Sequence, residues 1–249
     1  MASIFDVYFS PLDEPEFFKE VDRLITRGAP EYVVTPNLDF ARLSAKHPEF
    51  RAALNGAKLS LCDGQVLYKL LKIKRDSVPA KLSGSDLTPR LLDHAVANDY
   101  RVYLFGSDEK TLRMVEERYP SAVVGWDAPP FRPKLWEEDE LNATYIERIR
   151  ELKPDMVFVA LGAMKQEFWA QRYCREYDAP LSFCIGASLD FISSKVKRAP
   201  QLVSKVGMEW AWRLAMEPGR LWKRYGSDAV FLLKNLPGLF SNGKPEKAV

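Results

Sequence analysis

The sequence predicts an α/β fold, a Rossmann-like and mainly parallel sheet flanked by helices, with a short helical C-terminal appendage. Three observations predict it. Six short apolar runs are bounded by Gly, Pro or polar turns. Most of them lead into a stretch with helical periodicity, the signature of βα units. After residue 199 the chain turns basic and Trp-rich.

The elements follow in order. EYVVT (31–35) is a strand, and a helix begins near Leu38. AKLSL (57–61) is a second strand, followed by CDG and the helical QVLYKLL. RVYLFG (101–106) is a third, leading into SDEKTLRMVEERY, and AVVGW (122–126) is a fourth. PDMVFVALG (154–162) has the continuous apolar run of a fully buried strand. It lies between the helical IERIRELK and KQEFWAQRYCREY. LSFCIGA (181–187) is the sixth. Arg198-Ala199-Pro200 reads as a hinge, so residues 1–199 form the body and 200–249 the appendage. Within the appendage, QLVSKVGMEWAWRLAME reads as a helix stopped at Pro218-Gly219. RLWKRY and DAVFLLKN read as short helical pieces, and GLFSNGKPEKAV as a frayed tail.

Composition narrows the function classes. No run of eighteen apolar residues is present, and the N-terminus lacks a secretory apolar region, so neither a membrane span nor a signal peptide is expected. Cys62, Cys174 and Cys184 have no CxxC spacing and read as small buried hydrophobes in a reducing compartment. Residues 195–249 carry eleven Lys+Arg against four Asp+Glu, which points to a polyanionic partner for the appendage.

Sites in parallel sheets lie at the carboxyl ends of the strands. Here those ends read Thr35-Pro36-Asn37, Cys62-Asp63-Gly64, Phe105-Gly106-Ser107, Leu161-Gly162-Ala163 and Ile185-Gly186-Ala187. Their glycines allow a ligand close to the backbone, and helix starts nearby favour phosphate. Neither GxGxxG nor GxxxxGK[ST] occurs, and no Asp-x-Asp is present to hold a divalent ion. Asp63 reads equally as a helix N-cap or as a carboxylate placed to take a proton from a hydroxyl. Thr35 is a turn residue or a site residue; Asp190 is a cap or a sugar ligand. Lys165-Gln166-Glu167 reads as a solvated first helical turn, and His47 and His94 as surface residues.

Taken together, the motifs resemble the WecG/TagA/CpsF family of bacterial glycosyltransferases (glycosyltransferase family 26). The matching pieces, in order, are TPNLDF, CDGQ, LSGSDLTPRLL, VYLFGS, VVGWDAPPF, PDMVFVALGAMKQEFW and GASLDF…VKRAP…GMEWAWRLAMEPGRLWKRY. The resemblance implies a GT-E body that moves a sugar, with inversion, from a UDP-sugar to a polyprenyl-diphosphate-linked sugar. It also implies that the transfer takes place at the inner face of the cytoplasmic membrane, without a metal or other cofactor. N-Acetylmannosamine, its uronic acid and glucose are the implied sugars. It also implies Asp63 as general base and Thr35 as a second catalytic residue. Asn37, Lys81, Gly84, Asp86, Gly106, Gly162, Gln166, Gly186, Asp190 and Arg198 are implied in substrate binding, with the appendage arginines Arg213, Arg220 and Arg224 meeting diphosphate.

Two departures stand out. Lys81 replaces an arginine common in the family, losing the two-pronged grip of a guanidinium, and Ser193-Ser194 replaces Ala-Gly. Trp210, Trp212 and Trp222 fit either a membrane interface or packing on the body. No nucleic-acid partner is expected, since the aromatics form no RNP-like motif; self-association is left open. The alternative function is a non-catalytic regulator that binds nucleotide sugars.

Overall fold

A computed structural model describes residues 2–74, 76, 78–193, 209–216 and 218–241, with backbone only at 209, 210, 213, 220 and 238–241. The expected hinge at 198–200, and Arg198 with it, lies outside the described residues.

Six parallel strands form the sheet, in the order β4-β3-β8-β7-β5-β6. They are β3 (Glu31–Val34), β4 (Leu59–Ser60), β5 (Val102–Gly106), β6 (Val123–Asp127), β7 (Met156–Ala160) and β8 (Leu181–Cys184). These are the six expected strands, trimmed at their ends. Alternation sends their side chains to two cores. On β5, Tyr103 and Phe105 enter one core, while Val102 and Leu104 enter the other.

The first core lies under α2 (Leu38–Ser44), α3 (Pro48–Asn55), α4 (Gln65–Ile73), α7 (Asp139–Leu152) and α8 (Lys165–Tyr173). Trp169 is its centre, stacked 4.2 Å from Phe105 and 5.3 Å from Tyr177. Its buried indole N–H donates to Asn142 Oδ1 at 2.7 Å, so the large ring is buried without an orphan donor. The second core lies under α1 (Glu14–Arg27), α5 (Gly84–Ala97), α6 (Glu109–Arg118) and α9 (Ser188–Ile192). Helix α1 starts at a capping box, Asp13 with Glu16, and ends on left-handed Gly28. All three cysteines are free and buried, as their sparse spacing suggests.

Two features depart from the expectation. A two-stranded hairpin, β1 (Ala2–Ile4) and β2 (Val7–Phe9), precedes the sheet, turning through left-handed Phe5 and Asp6. The two short helical pieces expected after Pro218-Gly219 are also joined into one. After α10 (Glu209–Met216), one helix α11 runs from Pro218 to Ser241. Pro218 starts it, because a first-turn N–H has no helical partner to lose.

Helix α11 lies on the body. Its Leu221 is buried, Leu232 and Leu236 pack against the first core, and Phe231 meets Phe5 of the hairpin at 4.9 Å. The opposite face carries exposed Trp222, Val230 and Leu233.

Candidate functional site

A cavity of about 440 Å³ opens at the carboxyl edge of β3 and β4. Its walls come from the start of α2, the turn into α4, the segment before α5, and α11. Asn37, Asp63, Lys81 and Arg224, four of the expected site residues, line it together.

The turn that delivers Asp63 is tightly specified. The Asp63 N–H donates to Pro36 O at 3.0 Å, tying the β4 exit to the β3 exit. Gly64 follows at φ 91°, a conformation that favours glycine, and Gly64 itself is the N-cap of α4. Asp63 therefore stands outside the cap position, half-buried on the cavity wall. The N-cap position expected for Asp63 falls on Gly64 instead.

Asn37 does have a capping job. Its side-chain oxygen accepts from the N–H groups of Asp39 and Phe40, and from Arg224 Nη2 at 3.3 Å. Thr35 lies deeper. Its hydroxyl is 3.5 Å from Cys184 O, and a Cβ on Gly84 would come within 3.1 Å of it. The small residue at 84 thus lets the start of α5 approach Thr35. Lys81 lies 3.7 Å from exposed Asp86.

Arg224 belongs to a cluster of charges joining α11 to α2. Arg42 Nε donates to Asp228 Oδ1 at 2.8 Å, and Arg42 also pairs with Asp39. Arg224 Nε lies 3.1 Å from Asp39 Oδ2, close enough for an ion pair although its N–H is not aligned for a hydrogen bond. Burial raises the Asp228 carboxyl, and Arg42 opposes that shift. Arg213 and Arg220 sit on α10 and α11, with side chains outside the described residues.

A second group of expected residues gathers across the sheet, where β5 and β7 send their chains in opposite directions. Gly162 faces open space there. Asp190 lies 3.5 Å from Ser107 Oγ. Gly106 has a packing reason to be glycine, because a Cβ there would sit 2.6 Å from Ala160 O. The neighbouring strand takes that space.

The first turn of α8 is a correction. Gln166 and Glu167 are buried, not solvated. Gln166 accepts from the Gly186 N–H at 2.8 Å and donates to Glu167 Oε1 at 2.5 Å. This amide pins the turn after β8. Burial pushes the Glu167 carboxyl up to about 8, so it is protonated at neutral pH. The signal was present: 166, 169, 170 and 173 form one helical face. His94 is also corrected, since it pairs with Asp22 at 2.7 Å from 72 residues away.

Comparison with known proteins gives a consistent result. The family model described as glycosyl transferase WecG/TagA/CpsF matches residues 2–244. A protein of Bacillus spizizenii named N-acetylglucosaminyldiphosphoundecaprenol N-acetyl-beta-D-mannosaminyltransferase is 28% identical over 86% of this chain and 82% of its own. A protein of the same name from Staphylococcus aureus (strain MW2) is 26% identical over 83% of this chain and 76% of its own.

Proposed function

The chain belongs to the WecG/TagA/CpsF family and is a glycosyltransferase, and we propose that it moves N-acetylmannosamine from a UDP-sugar to a lipid-diphosphate-linked N-acetylglucosamine. The sugars follow the names of the relatives. The same names speak against a non-catalytic regulator. The observation that carries the chemistry is Asp63, held on a cavity wall by a left-handed turn and set apart from the cap of α4.

In this reading the Asp63 carboxylate accepts the proton of the acceptor hydroxyl. That oxygen forms its bond to the anomeric carbon from the face opposite the diphosphate, which leaves with the bonding electrons. Inversion follows from the single displacement. The charge growing on the leaving diphosphate is met by cations on the cavity wall, Lys81 and Arg224. Thr35 and the Gly186–Asp190 turn shape the donor side. Gln166 acts from behind, through the Gly186 N–H it holds. The appendage walls the site and presents Trp222, Val230 and Leu233 to the cytoplasmic face of the membrane. No helix among the described residues is long and apolar enough to cross one, which fits a peripheral attachment.

The test combines the purified protein, a panel of UDP-sugars and short-chain lipid-diphosphate-linked N-acetylglucosamine or glucose. Mass spectrometry reads the product, and an EDTA arm checks the metal-free expectation. A single N-acetylhexosamine added to the first acceptor is expected. Asp63→Asn is expected to lower kcat by about 10²–10⁴-fold, the usual weight of a general base. A fully active Asp63→Asn protein would show that the base lies elsewhere.

A further inference from the structure

The charges behind Arg224 do more than dock a helix. Asp39 and Asp228 are buried, at 7% and 6% exposure. Each divides its oxygens between two guanidinium groups. Asp39 gives Oδ1 to Arg42 and holds Oδ2 3.1 Å from Arg224 Nε. Asp228 accepts from Arg42 through Oδ1 and holds Oδ2 4.0 Å from Arg224 Nε. The result is a ring of alternating acid and base, two members from α2 and two from α11. Arg224 Nη2 is steered to Asn37 Oδ1. Arg224 and both acids line the cavity, and Arg42 does not.

Docking alone does not account for this ring. Leu221, Leu232 and Leu236 already seat α11 on the body. Buried ions cost desolvation energy that apolar side chains of the same size do not. What acids add is orientation. An arginine has many rotamers, and two carboxylates within ion-pair distance of its Nε, with its Nη2 bonded to Asn37 Oδ1, narrow them by charge, without an aligned bond at Nε itself.

We propose that Asp39, Arg42 and Asp228 are positioning residues that aim the Arg224 guanidinium at a diphosphate in the cavity. The inference rests on the transferase reading above. The diphosphate belongs either to the donor, where charge grows as the bond breaks, or to the lipid acceptor, where it is present from the start.

Steady-state kinetics with donor and short-chain acceptor varied separately tests it, using Arg224→Gln, Asp228→Asn and the double variant. Arg224→Gln is expected to change one constant by about tenfold or more, as loss of a charged contact does. A higher acceptor KM identifies the acceptor diphosphate. A lower kcat at saturation identifies the leaving group, because that charge exists only in the transition state. Asp228→Asn is expected to move the same constant, in the same direction, by less. It is expected to add almost nothing on top of Arg224→Gln, since residues acting through one group are not additive. An undiminished Asp228→Asn effect in the Arg224→Gln background would mean that Asp228 only holds the helix, and the proposal fails. An Asp228→Asn protein with wild-type constants, beside an impaired Arg224→Gln, overturns it too. If Arg224→Gln itself transfers normally, Arg224 is not a substrate cation and the proposal falls with that role, while Asp63→Asn still reports on the transferase reading. Thermal melts check each fold, and Asp39→Asn stands in if Asp228→Asn is unstable.

Discussion

Glu167 shows how burial alone sets the chemistry of one residue. Its carboxyl is completely enclosed, Gln166 donates to one oxygen, and the other has no hydrogen-bond partner among the described residues. Tyr32 of β3 and Cys184 of β8 are the titratable groups that interact with it, and burial keeps both of them neutral as well. An acid raised from 4.5 to about 8 keeps its proton in the folded state while the unfolded chain has already lost it. Its contribution to stability is therefore complete below about pH 4.5, and declines by about 1.4 kcal/mol per pH unit up to about pH 8. Glu167→Gln removes that titration. Denaturant unfolding from pH 5 to 8 should show the variant gaining steadily on the wild type; parallel curves would mean that Glu167 is ionised when folded. The burial of Gln166 was legible in part, because helical spacing places it on one face with Trp169, Ala170 and Tyr173, whereas Glu167 falls off that face. Polar identity masked that signal. The His94–Asp22 pair was not legible at all, since no local pattern links residues so far apart.

At the level of an element, α11 is amphipathic in an uncommon sense. Its inner face is part apolar and part ionic, and its outer face is apolar at Trp222, Val230 and Leu233. These three fall within roughly a quarter turn of one another. Trp222 is 71% and Leu233 72% exposed, so neither ring nor side chain is spent on the body. Lys223 and Lys234 follow directly in sequence, the pairing of apolar and basic groups that suits an anionic lipid surface. Trp222→Glu with Leu233→Glu is expected to cut co-sedimentation with anionic liposomes by about tenfold or more, while melting temperature stays within a few degrees because both positions are exposed. Unchanged sedimentation would rule out this face as the membrane contact. The helix was read as fragments because Gly226 and Pro237 lower local propensity. Packing on the body overrides them, and packing is not visible in a local pattern.

For the whole molecule, the sheet was the most legible part. Six buried strands announced themselves because both faces are covered, which makes apolar runs continuous. The β1–β2 hairpin did not. Its strands have three residues each, and its left-handed turn falls on Phe5 and Asp6 without a glycine to mark it. The site was legible where motif and strand end coincide, at Asp63 and Asn37. It was not legible where the appendage folds back, at Asp39, Arg42 and Asp228. Both cores lie within the body, so a chain ending at Met216 is expected to fold and melt cooperatively. It should lose transfer activity by about 100-fold or more, since one wall of the cavity is gone. Equal activity in the truncated chain would remove α11 from the site. The bond between Arg42 and Asp228 also has a consequence in time. It joins positions 186 residues apart, and during synthesis the sheet can fold long before α11 has left the ribosome. A nascent chain would then carry Asp63 on a finished turn beside an unwalled cavity. On the proposed role of α11, activity is expected to be withheld until that helix arrives, and a truncated translation product is expected to be folded but silent.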